Sequence, residues 1–132
     1  MAFEQLSIPE EDYTAAERAK TIAEHNDRFR NTWAADFTIS GQIVMTQAVA
    51  ALSPAWMARM MQAIQHFDDF TEDNDPYGDH SFGAVEITIA DDTKTIWFKI
   101  DLYDLNLEYG AEDPTDLDQT KRVMTILFPS DY

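Results

Sequence analysis

Apolar residues recur at intervals of three and four from Glu10 to about Trp33, at Ala15, Ala16, Ala19, Ile22, Ala23, Phe29 and Trp33. Acids cluster at the start of this stretch, where a helix dipole favours them, so the pattern predicts a first helix. Asn26 falls on its apolar stripe. A buried amide has to be hydrogen-bonded, and a structural bond to a neighbouring loop is the simpler expectation than a catalytic amide. Gly41 opens QIVMT, a short apolar run with β-branched members that reads as a buried strand. Ser53-Pro54 then supplies an N-cap followed by proline at the first helical position, and Met57, Met60, Met61, Ile64 and Phe67 mark the inner face of a second helix. Gln47 to Leu52 reads as an extra turn between that strand and that helix, and methionines at helical spacing read as core.

The second half of the chain changes period. In AVEITIA, Val85, Ile87 and Ile89 alternate with Glu86 and Thr88. In TIWFKIDLY, Ile96, Phe98, Ile100 and Leu102 alternate with Trp97, Lys99, Asp101 and Tyr103. Two alternating runs joined by a few polar residues predict a hairpin. DLNLEYGAEDP reads as an irregular acidic loop, Pro114 to Lys121 as one or two helical turns, and VMTILF as an inner strand, apolar on both faces. The order predicts an α+β fold: a mostly antiparallel four-stranded sheet with two main helices packed on one face. Residues 1–12 read as a lead-in and residues 13–132 as a single domain.

Composition narrows the classes of function. A chain of 132 residues with 45% hydrophobic residues is long and apolar enough for one real core. It has no cysteine, so disulfides, thiolate chemistry and cysteine-held zinc are excluded. No apolar run approaches the about 18 residues of a membrane span, and the N-terminus lacks the order of a secretory signal, so a cytoplasmic protein is expected. The net charge is −16 and unevenly placed, with sixteen acids against two bases between residues 68 and 118. Direct nucleic-acid binding is disfavoured, because phosphates would be repelled.

The densest acidic stretch is FDDFTEDNDPYGDH, residues 67–80. Asp75-Pro76-Tyr77-Gly78 places Asp, Pro and Gly where a type I turn prefers them. The turn does not account for the flanking acids. A calcium loop counted from Asp73 puts Asp75 and Gly78 in register but Tyr77 and Ala84 at ligand positions, so the register fails twice. Asp73, Asp75, Asp79 and His80, with Asp69 nearby, form the residual metal or acid–base alternative. His66, Asp68 and His80 supply the residue types of a two-histidine, one-carboxylate iron set, but at a helix end rather than on a β scaffold. Asp79, His80 and Ser81 contain the types of a hydrolytic triad, but adjacent side chains seldom face one another and no GxSxG elbow is present. No glycine-rich phosphate loop exists. Nothing assigns a catalytic residue or a cofactor.

Several motifs recur in order: an Asn-Asp pair at Asn26-Asp27, TQAVAAL at 46–52, FDDF with DNDPYG, His80 and Phe82-Gly83, then Trp97, Lys99-Ile100-Asp101, Tyr103-Asp104 and RVMTI near the end. Together these resemble a small bacterial family catalogued as domain of unknown function 3768. Phe98, inserted between Trp97 and Lys99, and Leu102 in place of an aromatic depart from its pattern. The resemblance implies a shared fold over about residues 20–132 and supplies no mechanism.

Charge therefore carries the functional expectation. The fourteen excess acids of residues 68–118 equal the charge of roughly 24 Å of duplex DNA, and a domain of this length is about 35 Å across. This predicts a non-enzymatic module that binds a basic protein, in the manner of a DNA mimic, through Asp68, Asp69, Glu72, Asp73, Asp75, Asp79, Asp101 and Asp104. Aromatic anchors beside these acids, Trp97 or Tyr103 next to Asp101, would strengthen such an interface. The competing reading is a solvated face that serves solubility.

Overall fold

The computed structural model describes residues 14–132, so the expected lead-in, residues 1–12, lies outside the described residues. Helix α1 spans Ala15–Asn31, capped by Thr14, whose side chain accepts from the Glu17 backbone N–H. Strand β1 spans Gly41–Met45, the short helix α2 Gln47–Ala50 and helix α3 Pro54–Gln65. Strands β2, Phe82–Ile89, and β3, Asp92–Tyr103, form the expected hairpin, with Ile89 opposite Asp92. Strand β4 spans Lys121–Leu127, with a short 3-10 turn on each side, Leu117–Gln119 and Pro129–Asp131.

The sheet order is β1-β4-β3-β2. β2–β3 and β3–β4 are antiparallel, whereas β1 runs parallel to β4, so the sheet is mixed at one edge. The physical reason is the connection. β1 leads into α2 and α3 on one face of the sheet, and the chain returns through the hairpin before β4 inserts beside β1 in the same direction.

Register fixes which residues face inward. Val85 pairs with Ile96, Gly83 with Phe98, Phe98 with Ile126, and Ile100 with Met124, and all the apolar members of these pairs are buried. Phe29, Met60 and Ile64 cover them from the helices. Met60 is fully buried and Met57 and Met61 pack against the core, so the methionine stripe of α3 is interior packing. Trp97, Lys99, Asp101 and Tyr103 alternate onto the opposite face. There Trp97 meets Phe82 and Tyr132 edge-on, at centroid distances of 5.4 and 6.2 Å. Among the described residues no helix is long and apolar enough to cross a membrane.

Candidate functional site: a latched acidic loop

Two polar residues on the inner stripe of α1 decide how the acidic stretch sits. Asn26 is fully buried; its Nδ2 donates to the Asp79 carbonyl at 2.9 Å, the expected structural bond to a neighbouring loop. Arg30, one helical turn on, is 1% exposed. Its Nη1 donates to the carbonyl of Ile64 at 2.7 Å and, more weakly, of Gln65 at 3.3 Å, closing the carbonyl end of α3. Its Nη2 donates to Asp27 Oδ1 at 2.9 Å. The guanidinium lies over the rings of Phe98 and Phe70, 5.3 and 5.5 Å from their centroids. Burial lowers its pKa, and the bond to Asp27 opposes that.

The loop between α3 and β2 is built from short-range bonds on this base. Phe67 packs edge-on against Phe70 and Phe98. The Thr71 backbone N–H donates to Asn74 Oδ1 at 2.7 Å, and Asn74 Nδ2 donates to the Asp69 carbonyl at 2.7 Å. The Gly78 N–H donates to the Asp75 carbonyl at 3.0 Å, which closes the turn expected at Asp75-Pro76-Tyr77-Gly78. The Asp75 carboxylate, 7% exposed, accepts from the His80 N–H, and Asp79 accepts from the Ser81 hydroxyl at 2.8 Å. His80 takes φ +55, a conformation that most side chains avoid. It is held there by its ring, which stacks on Phe70 with centroids 3.9 Å apart and donates from Nδ1 to Asp27 at 2.9 Å.

The eight acids expected to form one docking surface fall into three groups. Asp68, Asp69, Glu72 and Asp73 are exposed on the loop, and their carboxylates make no hydrogen bond or ion pair with the described residues, although Asp68 acts electrostatically on Arg30. Asp75 and Asp79 turn inward and hold the turn. Asp101 projects from the far side of the sheet beside Lys99 at 3.3 Å, and Asp104 accepts the backbone N–H groups of Asn106 and Glu108 at 3.1 Å.

The alternative chemistries are not assembled. Ser81 bonds Asp79 while His80 bonds Asp27, so no serine–histidine pair forms. Asp27, Arg30, His66, Asp68, Phe70 and His80 border a cleft of about 440 Å³, which brings the three iron-set residues to one place. Even so, among the described residues no three His, Asp or Glu side chains are arranged to hold a metal, and this includes Asp73, Asp75, Asp79 and His80.

The arginines were not singled out from the sequence, and two signals pointed to them. Arg30 lies on the stripe of Ala23 and Asn26, and Arg122 occupies the inward register of Met124 and Ile126. A charged residue at an apolar position of an amphipathic element marks a buried partner network.

No curated protein and no solved structure matches the chain. A family model described as protein of unknown function (DUF3768) matches residues 45–131, which contain the whole acidic loop and run from the end of β1 past β4. That match covers more than half of the chain and agrees with the motifs of the loop and the last strands: the chain belongs to the DUF3768 family.

Proposed function

We propose that this protein is a non-enzymatic binding module whose acidic loop docks a basic protein, in the manner of a DNA-mimic inhibitor or regulator of a nucleic-acid-binding partner. The observation that carries the reading is the division of labour within residues 68–79. Asp75 and Asp79 are used to fix the loop, while Asp68, Asp69, Glu72 and Asp73 are left outside. Tyr77, at the tip of the turn, is 81% exposed, an aromatic anchor amid like charges. A loop ordered before binding loses less conformational entropy on docking, and clustered acids accelerate encounter with a cationic surface. Asp101, on the outer face of β3 beside Lys99, stands apart from these four acids, so the reading rests on the loop. The partner on this reading is cytoplasmic.

Acid–base catalysis in the adjoining cleft is the second reading, favoured by the Asp27–His80 pair at its wall. A base held by Asp27 through Nδ1 would act through Nε2, and that nitrogen faces the Asp75 carboxylate at 3.7 Å. His80 fits better as a pin than as a base.

Affinity capture from the source cell's lysate separates the readings. The wild type should retain a basic nucleic-acid-binding protein that duplex DNA competes away and that moderate salt releases. A variant carrying D68N, D69N, E72Q and D73N should lose it. Equal capture by both proteins, or capture indifferent to DNA, refutes the proposal.

A further inference from the structure

A second buried cation lies behind the base of the loop, outside the lining of its cleft. Arg122 on β4 points inward in register with Met124 and Ile126 and is fully buried. Its Nε donates to Asn26 Oδ1 at 2.8 Å. Its two terminal nitrogens, Nη1 and Nη2, have no acceptor among the described residues. His25 Nδ1, on the residue before Asn26, is also buried and without a partner. After burial, the charge of Arg122 is the largest influence depressing the His25 pKa, so the two side chains are within electrostatic reach.

The contrast with Arg30 is informative. Arg30 is equally buried, but Asp27 and Asp68 offset the cost, whereas burial alone acts on Arg122 and pushes its pKa down to about 10. Buried donors in folded proteins are paired, and an uncompensated buried charge costs much more than an unpaired neutral group. A water molecule accepts hydrogen bonds but brings no opposite charge. An anion supplies both, and enclosure at 0% exposure selects a small one with a modest hydration shell.

We propose that Arg122 Nη1 and Nη2, together with the His25 imidazole, hold a monovalent inorganic anion of chloride size between α1 and β4. The anion completes a polar spine that continues through Asn26 to the Asp79 carbonyl, and so braces the base of the acidic loop. Because the chain carries a net charge of −16, its surface repels anions, and retention of one requires a specific cradle.

The test uses bromide as the probe on the full chain. Crystals of the wild type equilibrated with sodium bromide should show an anomalous peak in contact with Arg122 Nη1 and Nη2. In solution, the wild-type Tm should rise by on the order of 3 °C from sodium gluconate to sodium chloride at matched ionic strength. Arg122→Met should abolish that difference. A water or a protein carboxylate at the guanidinium, bromide peaks confined to the surface, or the same chloride response in Arg122→Met would each overturn the site. The bromide map stands on the wild type alone, so it decides the matter if the variant does not fold.

Discussion

Asp27 and His80 face each other across the junction between α1 and the acidic loop, with Nδ1 of the imidazole 2.9 Å from both carboxylate oxygens. The same carboxylate receives Arg30, so one side chain ties the loop to the helix and also neutralises a buried guanidinium. Asp27→Asn keeps the shape but removes the charge. It should cost about 2 kcal/mol in urea denaturation, since a charged donor with 2% side-chain exposure loses its counter-charge. Hydrogen exchange should quicken across residues 68–80 while β3 stays protected. Unchanged exchange in the loop would mean that the Asn26 bond and the Phe70 stack hold it without Asp27.

Gly83 fixes where the loop enters the sheet. A Cβ there would strike the ring of Phe98 and come within 2.9 Å of Phe67, both of which support the stack beneath Phe70 and His80. Gly83→Ala should therefore destabilise the fold by about 1–3 kcal/mol, the usual cost of overpacking a core. The Tm measures this. A variant as stable as the wild type would show that both rings can move aside freely.

These two positions illustrate what can be read before folding. The hairpin was legible because Val85, Ile87, Ile96 and Phe98 alternate without exception and only a short polar break separates the runs. Asn26 was legible as a buried amide with a loop partner, because its place on the stripe of α1 demanded one. The parallel pairing of β1 with β4 was not, since nothing local to GQIVM encodes the direction of a neighbour eighty residues away. Nor was the fate of the individual acids. Asp75 and Asp73 look alike in sequence, and only the fold of the turn buries the first and exposes the second. The excess of acids over residues 68–118 grouped Asp101 with the loop, whereas strand alternation sends it to the outer face of the sheet.

His25 makes stability depend on pH. Burial, followed by the charges of Arg122 and Arg28, lowers its pKa below the usual 6.5. The folded state then binds a proton less readily than the unfolded chain, so the stabilisation is complete above pH 6.5 and is lost as pH falls below it towards the folded-state value. In chloride-free gluconate buffer, where no anion offsets the charge of Arg122, thermal unfolding from pH 7.5 to pH 5.5 should show a falling Tm, and His25→Gln should flatten that slope. Asp36 is held below its ordinary value by its bonds to Thr38, so its contribution is lost only in stronger acid. An identical slope in His25→Gln would assign the effect to another group.

The position of the docking surface can be tested separately from its existence. If overall charge attracts the partner, removing two acids should weaken binding equally wherever they lie. If the latched loop is the surface, Asp69→Asn with Asp73→Asn should slow association and raise Kd about tenfold at low salt, because their carboxylates are exposed and make no bond to the described residues. Asp101→Asn with Glu86→Gln, on the opposite face of the sheet, should leave Kd nearly unchanged. Tyr77→Ala should mainly speed dissociation, since an exposed aromatic contributes after contact rather than during approach. Measuring association and dissociation rates at two salt concentrations distinguishes these cases. Equal losses from the two double variants would show that diffuse charge, and not the loop held by Asn26 and Asp27, brings the partner in.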